Sequence, residues 1–163
     1  MFDPTAYENI KVILEGAVYD YDLEGQITVL DRNDTFNLSK LTRTYTIQFS
    51  LNAMQTPCDL MITLSTLDLY KEIALNQEEV GCKIQVGVHI YEDEVPLQKL
   101  KAQMISVWGA RDIDIKTEYS LNGDKTTNIV EIDFDRLIKE DDVDDVVALV
   151  DHCIHTLQIL SQG

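Results

Sequence analysis

Ile113-Asp114-Ile115-Lys116-Thr117-Glu118-Tyr119-Ser120-Leu121-Asn122-Gly123 is the stretch that decides the fold class of this chain. Ile113, Ile115, Thr117, Tyr119 and Leu121 fall on one side of a period of two, the spacing of a strand with one buried face. Asn122-Gly123 then tolerates the left-handed backbone of a tight turn, and Val130, Ile132 and Phe134 supply the returning strand. The unit is an antiparallel hairpin, so the sheet it belongs to is expected to be antiparallel.

Working outward, Pro96 suits the first position of a helix carrying Leu97, Leu100, Met104, Val107 and Trp108, with Gly109 as its stop. Ile84, Val86, Val88 and Ile90 alternate with polar residues, as do Tyr45, Ile47, Phe49 and Leu51, and both runs read as strands. Leu60 to Leu64 reads as a further strand. Ser65 and Asp68 then resemble a capping box opening a short helix with Leu69, Tyr70, Ile73 and Ala74. A long helix is expected from about Asp141 to Leu160.

The first residues are two-sided. Tyr7, Ile10, Leu14 and Ala17 have helical spacing behind Asp3-Pro4, but Ile10 to Leu14 is rich in β-branched residues and Gly16 interrupts a helix. The preferred reading is a short turn followed by a strand, joined through Gly25 to a second strand over Gln26–Leu30. Residues 31–42, crowded with Asp, Asn, Ser and Thr, read as a loop. The expected fold is therefore α+β: an antiparallel sheet of about six or seven strands, with two shorter helices and one long C-terminal helix packed on it. Residues 1–163 are expected to form a single domain. No glycine-rich phosphate-binding motif is present.

Charge narrows the partners. Thirteen Lys and Arg stand against 29 Asp and Glu, a net charge of −16, which repels phosphate backbones and anionic lipid. Neither nucleic acid nor membrane is expected as a partner. No apolar run approaches the roughly 20 residues a membrane helix needs. Cys58, Cys82 and Cys153 are odd in number and widely spaced, which fits reduced thiols and a cytoplasmic setting.

Three sets of residues invite a functional reading. Asp20, Asp22, Glu24, Gly25 and Asp31 nearly match the twelve-residue calcium loop, whose carboxylates suit a hard cation and whose glycine permits the turn. Glu at the fifth position, Asp at the twelfth and a poor following helix depart from that pattern, so an acidic hairpin tip is preferred and calcium is the alternative. His152 and His155, spaced i, i+3, could offer two imidazoles to a metal. A wheel that buries Val143, Val146, Val147, Val150, Ile154 and Leu157 turns both outward, and exposed, unliganded histidines are preferred. Arg43, Trp108, Arg111 and Asp112 are the residues expected to line any pocket, Arg111 because it lies between a helix end and a strand.

No cofactor is expected. With no catalytic motif in the sequence, the leading expectation is a non-enzymatic domain that binds a protein partner, including another copy of itself. The alternative is a small-molecule-binding domain, or a minor enzyme, with its pocket between the sheet and the C-terminal helix.

Overall fold

Tyr7, Ile10, Leu14 and Val18 recur at helical spacing, and all four are fully buried. They form the inner stripe of α1 (Ala6–Leu23), the first element of the computed structural model. The model describes residues 6–40, 42–52, 58–65, 82–90, 96–109, 111–123, 126–134 and 137–161. The expected N-terminal strand is thus a helix. Its β-branched residues cost a few tenths of a kcal/mol each in helix propensity, which burial of one apolar side chain more than offsets. Gly16 is exposed and meets nothing within 4 Å, so it interrupts no packing.

α1 stops at Gly25, whose φ of 78° is open to glycine. Gln26 N–H donates to the Tyr21 carbonyl at 3.1 Å and Gly25 N–H to that of Asp22 at 3.0 Å. This paired closure satisfies carbonyls that the last helical turn leaves over. The chain then reverses directly into β1 (Ile27–Asn37). β1 takes in most of the expected loop at 31–42, because each of those polar residues finds a backbone partner on β2 (Thr42–Leu51). The turn between them is held by Asn37, whose Oδ1 accepts from Ser39 N–H, Ser39 Oγ–H and Lys40 N–H.

β3 (Cys58–Ser65), β4 (Lys83–Ile90), β5 (Asp112–Tyr119) and β6 (Thr126–Asp133) complete the strands among the described residues. They pair edge to edge in the order β1-β2-β3-β4-β6-β5, every neighbour antiparallel. Register aligns Ile47, Leu60, Val86, Ile132 and Ile113 in one row across the strands, and Phe49, Cys58, Val88, Val130 and Ile115 in the next. On β2, β4 and β6 these positions are buried, so one sheet face carries the core.

α2 (Leu97–Trp108) buries Leu100, Met104 and Trp108, and ends at Gly109 with φ 72°. A single 3-10 turn (Glu140–Asp142) leads into α3 (Val143–Ser161), which buries Val146, Val150, Cys153, Ile154 and Leu157. These side chains join those of α1 and the strands in one hydrophobic cluster. Tyr21 Oη–H donates to Asp151 at 2.5 Å, clasping α1 to α3, and this bond pushes the phenol up to about 12.

The α+β class holds, but the expected layout of two shorter helices and one long C-terminal helix does not. The 18-residue α1 nearly equals the 19-residue α3, and β1 is built from what reads as loop. The short helix expected after Ser65 lies outside the described residues. No helix among the described residues is long and apolar enough to cross a membrane.

Leu14→Ala removes a fully buried side chain from the α1 stripe and is expected to cost about 3 kcal/mol. Leu23→Ala, at a position 85% exposed, is expected to stay within about 0.5 kcal/mol of the parent. Urea denaturation midpoints separate the two; equal midpoints would contradict the packing of α1.

Candidate functional site

Among the described residues two clefts lie beside the helices, and their polar groups are disposed differently. The first, about 690 Å³, lies between α1 and β1–β2 and is lined by Lys11, Glu15, Tyr19, Arg32, Asp34 and Tyr45 among others. A β-bulge between Val29 and Asp31 lies on the β1 side of it. The extra residue shifts the alternation, so Arg32 and Asp34, in place of Asp31 and Asn33, stand opposite Ile47 and Tyr45 and reach toward α1.

Lys11 and Arg32 in this cleft each meet a carboxylate, and Arg43 beside it meets two. Arg43 makes a two-pronged contact with Asp34 (Nε–Oδ1 3.1 Å, Nη2–Oδ2 2.8 Å), reaches Glu8 at 2.5 Å and lies over the Tyr7 ring at 4.5 Å. Lys11 approaches Asp34 at 2.7 Å, and Tyr7 Oη–H donates to it at 3.1 Å. Arg32 pairs with Glu15 at 2.6 Å, and Tyr45 Oη–H donates to the other Glu15 oxygen at 2.9 Å. Burial alone would raise the Asp34 carboxyl, but hydrogen bonds from Arg43, Lys11 and Tyr7 carry it down to about 2. Burial pushes both phenols upward, reinforced by the charges of Asp34 at Tyr7 and Glu15 at Tyr45. Arg43, expected at a pocket, is a tie between β2, β1 and α1. The groups here satisfy one another and leave little for a ligand.

The second cleft is a groove of about 350 Å³ where the end of α2, the start of β5, the end of β6 and α3 converge. Trp108 and Arg111 both line it, beside Phe134, Ile138, Leu149 and His152. Gly109 turns the backbone off α2 so that Arg111, two residues on, comes back over Phe134 with its guanidinium 5.0 Å from the ring centre. Phe134 meets Trp108 edge to face at 6.0 Å, and His152 meets Trp108 edge to face at 4.4 Å.

His152 is not the exposed residue expected. Its Nε2–H donates to the Val107 carbonyl at 2.8 Å, capping a carbonyl that α2 leaves over in its last turn. The buried arc of α3 is rotated from the expected one, since Val147 is exposed while Cys153 and Thr156 are buried. A wheel drawn for α3 alone leaves out its neighbours: α1 packs along α3, and the end of α2 meets it at His152. His155 stays exposed, its ring centre 6.2 Å from that of His152.

Trp108 is 7% exposed, and its indole N–H is buried with no acceptor among the described residues. Among the described residues it is the buried side-chain polar atom left in this state, at a cost of about 1–3 kcal/mol. Nothing in the sequence around Trp108 marks that feature. Spacing can place a tryptophan on an inner helix face, but the partners of its N–H come from other elements.

The remaining expected residues lie apart. Asp20 and Asp22 belong to the last turns of α1, Glu24 to the reversal and Asp31 to β1. Glu24 accepts from Gln26 Nε2–H, and Asp31 accepts from Arg32 N–H and Asn33 Nδ2–H. Among the described residues, no group of three or more His, Cys, Asp or Glu is placed to hold a metal ion. Asp112 is exposed on β5, directly opposite Asp133 and outside the groove. No protein-family description, curated protein or solved structure matches the chain.

The Asp34 network carries a sign-definite pH dependence. Its carboxyl titrates near 4 when unfolded and at about 2 when folded, so its stabilisation is present above about pH 4 and fades as pH falls toward 2. Asp34→Asn is expected to lose about 1 kcal/mol near neutrality, the network being only partly shielded from water, and to flatten that acid limb. Urea unfolding between pH 2 and pH 7 checks both; an unchanged acid limb would refute the assignment.

Proposed function

We propose that this protein is a binding domain for a small ligand, and that the groove of Trp108, Arg111, Phe134 and His152 is its site. The convergence of Trp108, Arg111, Phe134 and His152 on one apolar-walled groove carries the reading. The groove has the composition of a ligand site: apolar walls from Ile138, Val146 and Leu149, aromatic faces, and a few polar groups at the rim. Its place between sheet and C-terminal helix favours this reading over a protein-docking role, which rests on overall acidity. A cytoplasmic setting belongs to the proposal, supported by the buried cysteines Cys82 and Cys153, neither held in a disulfide.

Trp108 is the chain's single tryptophan, so its emission reports on the groove directly. Members of a small aromatic and aliphatic fragment set are expected to shift that emission. Ala148→Phe, which fills the groove from an exposed position, should abolish the response and leave the thermal midpoint unchanged. A set that leaves the emission unmoved, or a variant responding like the parent, would overturn the reading.

A further inference from the structure

We infer that the groove takes a planar carboxylate, an aromatic or conjugated small acid, with its anionic end at Arg111 and its ring against Trp108 and Phe134; this rests on the groove being a binding site. The argument begins with what the groove's polar groups can offer. Trp108 and Phe134 supply aromatic surface, and Arg111, exposed at the groove, supplies a fork of donors suited to two carboxylate oxygens. The Nε2–H of His152 is committed to the Val107 carbonyl. Asp145 also lines the groove and is already engaged in an interaction of its own. Donors toward an occupant therefore come from Arg111, and they ask for an acceptor-rich partner.

Position strengthens the case. Stacking on Phe134 fixes the guanidinium 5.0 Å above a ring that itself abuts Trp108, so cation and aromatic surfaces are held side by side. A flat ligand with a charge at one edge meets both at once, whereas a flexible aliphatic acid would lose rotamer freedom to do so. The net charge of −16 opposes a diffusing anion at long range, but salt screens that field within about 8 Å. The contact with Arg111 is made well inside that distance.

The test uses the single indole N–H resonance of the full-length ¹⁵N-labelled protein, titrated separately with benzoate, benzamide and benzylamine. Benzoate is expected to move the resonance saturably in the millimolar range. Benzamide should bind about tenfold more weakly, the difference a charge-assisted contact makes, and benzylamine should not bind. Arg111→Gln, at an exposed position, should weaken benzoate about tenfold and leave benzamide unchanged. Equal binding of benzoate and benzamide, or an Arg111→Gln protein that holds benzoate as the parent does, overturns the acid preference while the groove stands as a site. No shift with any of the three, alongside an unresponsive fragment set, overturns both.

Discussion

The structure depends on the burial of one stripe of α1. Tyr7, Ile10, Leu14 and Val18 lie at 0% exposure, and they set where the first element sits relative to every strand. With the helix there, the paired closure at Gly25 delivers the chain to the edge of the sheet, and β1 runs antiparallel to β2 under α1. The Tyr21–Asp151 clasp then ties α1 to α3. A strand in place of α1 would remove the cover from the β1–β2 half of the core.

The two clefts show how similar inventories of residues lead to different chemistry. Between α1 and β1, Arg32, Asp34, Arg43, Lys11, Glu8 and Glu15 neutralise one another, so the cleft is a polar seam that fixes the helix on the sheet. At the α2–α3 corner, one histidine caps a helix end, one arginine is parked on a phenylalanine, and one indole N–H is left over. Completeness of pairing ties the first to the fold; the second keeps a buried donor with no acceptor among the described residues.

Much of the fold was legible wherever one element's pattern decided its fate. Alternation placed β2, β4 and the β5–β6 hairpin, and Pro96 with Gly109 bracketed α2. Reading failed where a neighbour decides. The β-branched run at 10–14 is helical because the sheet offers its stripe a place to bury, and residues 31–37 are extended because β2 supplies hydrogen bonds. The same limit governs the site. Trp108 and Arg111 could be singled out from their place at a helix end, and the structure brings them to one groove. His152 could not, because a wheel drawn for one helix omits the α2 carbonyl that holds it.

The bulge after Val29 also bears on how the molecule keeps to itself. β1 is an outer strand of eleven residues, and a long flat edge of open backbone groups invites another chain to add a strand. The bulge breaks the regular spacing of those groups, and Asp31, Arg32 and Asp34 set charge along the same edge. An incoming strand would have to match an irregular ladder and desolvate charged side chains at once. The kink that builds the polar seam on the inside thereby guards the outer border of the sheet against edge-to-edge growth.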